Sequence, residues 1–362
     1  MKYVVTVLLG VAALFTTTMA LGAADEANKA RVAAEQGAAT HTDHVESGVA
    51  GTATQSFAGQ TAEDAEAIAA EREPFPAELP AAPEGNVAEV NLVVVDKAVE
   101  IAPGVQYNVW AWGYDAESAT ALGPPIHVRE GQRVKFTITN EGSIPHSMDF
   151  HAARIAPNEA FKDVMPGESF SFEFVAGDPG VFMYHCGTKP VLAHIANGMY
   201  GAIVVAPSDL PPADEEYVLV SSEWYLDSPG VDEPANLSMD KARAMTPDWV
   251  TWNGYAGQYA QHPLTADPGD TVRFWVVAAG PSLGTDFHVV GTVFDRAWAN
   301  AAMHDPQVGP QTVHVPAGGG GVFDVKIDEP GTYPVVSHSF ASVELGQVGI
   351  LKVGEPKGGA SH

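Results

Sequence analysis

Two stretches, "HVREGQRVKFTITNEGSIPHSMDFH" at 127–151 and "LTADPGDTVRFWVVAAGPSLGTDFH" at 264–288, run in parallel and both end in Asp-Phe-His, 137 residues apart. Each opens on a turn signal, continues as an alternating β-branched and aromatic run, and breaks at glycine or proline, which is the pattern of short strands in a β-sandwich. A second pair of segments, "DPGVFMYHC" (178–186) and "EPGTYPVVSHS" (329–339), keeps the same order. Two copies of one β-domain in tandem explain both pairs.

Outward from the repeat, "VAEVNLVVV", "SFSFEFVA" and "YGAIVVAP" add further strands. The expected fold is all-β, two tandem β-sandwich domains over 86–207 and 216–355. "APSDLPPADEEY" (206–217) reads as the linker between them. A helix is expected around Ser238 to Met245, with Ser238 as its N-cap. "AGGGG" (317–321) reads as a turn; it lacks the Lys and Ser/Thr of a phosphate loop.

The chain begins "MKYVVTVLLGVAALFTTTMALGA", a basic residue before an apolar run with small residues after it. Residues 1–23 are expected to be a signal peptide, or a retained membrane anchor, which makes this a periplasmic, secreted or externally anchored protein. Residues 24–85 carry Ala, Glu, Gly, Thr and Pro with few large apolar side chains, and read as a disordered low-complexity tether with a short helix over Thr61 to Glu71. The "HTDH" of His41 to His44 reads as solvated linker histidines. Eighteen basic residues stand against 45 acidic ones, a net charge of −27. That balance argues against nucleic-acid partners.

The chain holds one cysteine, in "YHCGTKPVLAHIANGM" (184–199). An exported protein pairs its cysteines, so a single one is a reactive thiol, an intermolecular bridge or a metal ligand. Cys186, His194 and Met199 lie in C-x7-H-x4-M spacing. With His146 from another strand they make the thiolate, two imidazoles and weak thioether of a blue-type copper site. Neighbours on a strand face opposite ways, so His185 points away when Cys186 points inward. His146 and His151 are five apart and also face oppositely, which sends His151 and Asp149 to the side of His185. Two imidazoles leave a metal under-coordinated. The repeat nominates His338 and His288 as further donors from the second copy. A trinuclear oxidase cluster needs about eight histidines, whereas each corresponding stretch here keeps only one, so a mononuclear site fits better.

These motifs, "PHSMDFHAA", "VFMYHCGTKPVLAHIANGMYGAIVV", "FHVVGTVFD" and "SHSFASVELGQVGILKV", resemble those of the two-domain copper-containing nitrite reductases over about Val87 to Gly354. The resemblance implies that both sandwiches are cupredoxin-like Greek-key domains, with a type 1 copper at His146, Cys186, His194 and Met199, and a type 2 copper at His151, His185 and His338. It implies Asp149 and His288 as the catalytic pair that delivers protons to nitrite, and a homotrimer in which His338 acts on a neighbouring chain. The implied reaction is one-electron reduction of nitrite to nitric oxide and water, with the electron passing from type 1 to type 2 copper through Cys186 and His185. A small cupredoxin or cytochrome c is the implied donor. Val290 stands where many members carry isoleucine in the substrate pocket, a change that could admit dioxygen. The alternatives are a copper oxidase using the same two sites, and a non-catalytic electron-transfer cupredoxin. His127, His262, His304, His314 and His362 are expected to be ordinary surface or hydrogen-bonded residues.

Overall fold

The computed structural model describes residues 56–355. The signal segment, most of the expected tether, the His41–His44 pair and His362 lie outside the described residues. No helix among the described residues is long and apolar enough to cross a membrane.

The first domain has eight strands: β1 (Val87–Ala102), β2 (Val105–Gly113), β3 (Ile126–Arg129), β4 (Arg133–Asn140), β5 (Asp149–Phe150), β6 (Ser169–Val175), β7 (Gly180–His185) and β8 (Tyr200–Ala206). They form two sheets, ordered β2-β1-β4-β6 and β3-β8-β7-β5. The second domain has ten: β9 (Glu215–Trp224), β10 (Trp249–Trp252), β11 (Leu264–Ala266), β12 (Thr271–Gly280), β13 (Thr285–Val289), β14 (Arg296–Ala299), β15 (Val313–Val315), β16 (Gly320–Lys326), β17 (Gly331–Ser337) and β18 (Val348–Val353). Their sheets run β10-β9-β12-β16-β14 and β11-β18-β17-β13-β15. Strand for strand this is the first domain's order with one strand added to an edge of each sheet. The sequence repeat is therefore a repeat of topology, and β5 and β13, which carry the two Asp-Phe-His motifs, are counterparts.

Alternation sets the cores. Along β1, Val90, Leu92 and Val94 are buried while the residues between them are exposed or half-buried. They join Phe136, Ile138 and Phe150 in the first domain's core; Leu219, Phe274, Phe287 and Phe323 make the second's. A third cluster takes Tyr107, Val109, Val181 and Met183 from the first domain and Trp224, Trp275 and Val277 from the second. Each such fully buried side chain is worth roughly 1.5–3 kcal/mol relative to exposure. Strand β7 is buried along its whole length because it serves two cores. Phe182, Tyr184 and Cys186 face their own domain, and Val181 and Met183 face the other. This parity sends the Cys186 and His185 side chains to opposite sides.

Three expectations are corrected. The segment 56–85 is not a free tether. Its helix is shorter than expected, Ala65–Glu71, and the rest straps both domains. The Phe57 amide donates to the buried Asp248 carboxylate at 2.7 Å, and the Arg72 guanidinium lies over the Tyr255 ring. The Leu79 amide donates to the Glu216 carbonyl, the Ala77 carbonyl accepts from Val218, and Arg129 and Gln132 donate to the carbonyls of Pro83 and Gly85. Low-hydrophobicity composition misleads here because the strap is held by backbone groups and a few anchors rather than by a core of its own. Second, Gly320 and Gly321 belong to β16, so the turn in "AGGGG" ends at Gly319. Third, no regular strand joins His146 to His151. Only Asp149–Phe150 is paired, and His146 is fixed by mutual backbone hydrogen bonds with Val164. The helix at Met239–Ala244 matches its expectation, with Ser238 Oγ accepting from the Lys241 amide.

Candidate metal centres

The structure brings His146, Cys186 and His194 together, with all three side chains buried. Cys186 follows the last residue of β7, and its amide donates to the Met199 carbonyl at 3.1 Å. His194 rides on the short helix Val191–Ala196. The Nδ1 atoms of His146 and His194 are 3.3 Å apart, and Cys186 Sγ is 3.3 Å from His194 Nδ1 and 4.0 Å from His146 Nδ1. Burial drives the His146 pKa down to about 3, with the neighbouring His194 adding to it, and drives His194 down to about 4, opposed by Asp163. Both rings are thus neutral. Burial pushes the Cys186 thiol up, against hydrogen bonds from Ser147 and Thr188. A metal about 2.0–2.3 Å from each donor suits this triangle, and binding would deprotonate the thiol outright. Met199 is fully buried in the same core cluster as Cys186. Two imidazoles, one thiolate and a nearby thioether are a type 1 copper donor set. The Trp110 ring covers both imidazoles, its centroid 4.6 Å from that of His194 and 5.6 Å from that of His146.

Asp149, His151 and His185 form the second cluster. Strand pairing sets Asp149 directly across from His185, and the His151 amide donates to the Met183 carbonyl. The Nε2 atoms of His151 and His185 are 3.0 Å apart, and Asp149 Oδ2 is 3.7 Å from His185 Nε2. With its Nδ1 protonated, His151 donates to the Gly318 carbonyl at 3.0 Å, and His185 likewise donates to the Cys186 carbonyl at 2.9 Å. These bonds leave both Nε2 lone pairs aimed at one another, a repulsive arrangement that a shared metal relieves. Burial raises the Asp149 pKa, opposed by the two imidazoles; burial lowers that of His185, opposed by the Cys186 carbonyl. The cluster has an open side, since His151 is exposed.

His338 and His288 are not in this cluster. They sit together on the second domain, ring centroids 5.1 Å apart, His338 exposed and His288 buried. His288 can donate from Nδ1 to the Gln311 carbonyl at 2.8 Å, again leaving Nε2 free. Val290 is 39% exposed two residues on. Within one chain the described residues thus hold two separate histidine groups, one per domain. Among the described residues the first has two imidazoles and a carboxylate, and the second has two imidazoles.

Sequence reading missed the Gly318 carbonyl, because an oxygen of the main chain leaves no side-chain signature. The one available signal is the glycine-rich turn itself: Gly318 has φ +74°, and a Cβ there would sit 3.6 Å from His151 Cε1. The remaining described histidines behave as expected. His127 and His262 hydrogen-bond to the Pro80 and Ala69 carbonyls, and His314 pairs with Asp286.

Two tandem cupredoxin-type sandwiches, with a buried sulfur-and-nitrogen pocket beside an open cluster of two imidazoles and a carboxylate, define a copper oxidoreductase. The multicopper oxidase family matches residues 97–209. The copper-containing nitrite reductase of Neisseria gonorrhoeae is 38% identical over 271 residues, covering 73% of this chain and 68% of its own. Among solved structures, the Nitrosomonas europaea copper nitrite reductase aligns with a TM-score of 0.67 at 32% identity, over 76% of this chain and 98% of its own. A copper-containing nitrite reductase from Thermus scotoductus aligns at 0.66 and 27%, over 74% and 62%. The chain belongs to the copper-containing nitrite reductase family.

Proposed function

We propose that the protein reduces nitrite by one electron: nitrite, two protons and an electron give nitric oxide and water. The observation that carries the reading is the back-to-back placement of the two donor clusters on the adjacent residues His185 and Cys186. His146, Cys186, His194 and Met199 would hold the type 1 copper; His151 and His185, with His338 from a second copy, would hold the type 2 copper. Copper supplies a one-electron carrier at the first site and Lewis acidity with the delivered electron at the second.

The protein's own groups do the rest. Cys186 and His185, joined by a peptide bond, are the covalent link between the two donor sets. Asp149, with a carboxylate raised by burial and free of hydrogen bonds among the described residues, accepts and passes a proton at the open side of the cluster. His288, held by Gln311 with Nε2 free, supplies the second. The exposure of both His151 and His338 in the single chain supports a site closed by a neighbouring copy, and we assign the assembly as a homotrimer. Export to the periplasm or cell exterior and a small redox-protein donor belong to the same proposal.

Anaerobic nitric oxide release from copper-loaded protein, given nitrite and a reduced mediator, tests the reading. Sustained release that disappears in His288→Ala is the expected result. Reduction of the type 1 copper without nitric oxide would overturn it and direct attention to dioxygen.

A further inference from the structure

The second domain repeats the first domain's motif in full. Asp149 lies across from His185 on the paired strands β5 and β7. Phe287 pairs with Ser337, so Asp286 falls across from His338, one residue beyond the end of β17. The repeat thus supplies two Asp–His cross-strand pairs, but their carboxylates do different things. Asp149 has no hydrogen-bond donor among the described residues. Asp286 is saturated.

Every polar group of Asp286 is committed to the segment around His338 or to a brace beside it. Its amide donates to Ser337 Oγ at 3.0 Å, and its carbonyl accepts from the His338 amide at 2.7 Å. Carboxylate Oδ2 accepts from Ser339 Oγ at 2.8 Å, and Oδ1 is 2.7 Å from His314 Nδ1 on the neighbouring strand β15. Ser337 Oγ also accepts from the Ser339 amide at 3.3 Å. The residues before, at and after His338 are therefore each pinned to one aspartate, while the imidazole itself is left free and exposed. Such a brace matters where a ligand projects from a strand end toward another chain, because backbone freedom there becomes ligand freedom.

We infer that Asp286 is the positioning residue for His338, fixing the second domain's contribution to the type 2 metal site without touching the metal, with Ser339 and His314 as its partners. This rests on the assignment of His338 made above. Outer hydrogen-bond partners of metal ligands typically carry 10- to 100-fold in metal affinity.

The test is copper titration of the metal-depleted full-length protein. The readouts are copper bound per chain, the type 2 electron paramagnetic resonance signal, and the type 1 absorption band as an internal check of folding. Asp286→Ala is expected to weaken the second copper about 10- to 100-fold, leaving the type 1 band unchanged. Asp286→Asn keeps an acceptor for Ser339 and should fall between. Ser339→Ala, an exposed change that removes a single hydrogen bond and leaves the fold intact, should weaken the second copper by about 2- to 10-fold. His338→Ala is the reference and should lose the type 2 signal entirely. If His338→Ala loses the signal while Asp286→Ala and Ser339→Ala bind the second copper as the parent does, the positioning role is overturned and the ligand assignment stands. If His338→Ala keeps both coppers, both fall.

Discussion

The buried cluster of His146, Cys186 and His194 and the open cluster of Asp149, His151 and His185 lie one residue apart in sequence, yet are built on opposite principles. The first is complete within one domain and closed to water, its donors pressed into a hydrophobic core. The second is open, with an exposed imidazole and a carboxylate that has no hydrogen-bond donor among the described residues. A group that only passes electrons benefits from rigid, dry surroundings. A group that must admit an anion and protons needs an open position and an acid held ready. Strand parity lets β7 serve both, because its alternate side chains face different cores.

Breaking the open cluster alone should have the largest effect. Asp149→Ala is expected to lower nitrite turnover by about 10²- to 10⁴-fold, while the type 1 absorption band and its reduction by mediator stay unchanged. Steady-state kinetics beside the optical spectrum check this. A parallel loss of the band would mean that the two clusters are not separable.

Acid should act on the buried cluster in the metal-free protein. The folded-state pKa values of His146 and His194, about 3 and about 4, lie below the ordinary 6.5. The unfolded chain therefore binds protons that the folded one excludes, and stability falls as pH drops below about 6.5. Each ring contributes about 1.4 kcal/mol per pH unit until its folded pKa is reached. Denaturant midpoints between pH 7 and 4 measure the slope, and a flat profile would refute it.

A smaller effect is expected from Gly318→Ala. A non-glycine residue in the left-handed region costs about 1–2 kcal/mol. The new methyl meets the His151 ring only at ordinary contact distance, so thermal stability should fall while type 2 copper is retained. Loss of the copper instead would show that the Gly318 carbonyl is sensitive to small backbone shifts.

The repeat, the strands and the residues of both clusters could be read from sequence because each rests on a local rule: alternation, donor chemistry, or a motif used twice. His146 and His151 point apart as parity suggests, although the segment between them is not a continuous strand. What could not be read depended on distant main-chain groups. The Gly318 carbonyl and the brace of Asp286 are examples, since nothing in "DFH" distinguishes an aspartate without a hydrogen-bond donor from one that holds a loop. The strap over 56–85 was missed for a related reason. Its few anchors, Phe57, Arg72 and Leu79, are too sparse to register as a hydrophobic pattern.

That strap also has a mechanical consequence. Running from Ser56, it meets Asp248 of the second domain at Phe57, Pro103 of the first at Ala62 and Glu216 of the second at Leu79, before it reaches Arg129 and Gln132 of the first. Tension applied at Ser56 would enter through the Phe57–Asp248 contact and then meet the two domains in turn, because the strap alternates between them. The strap is a shared tie: load on it divides between the two sandwiches instead of unzipping one of them.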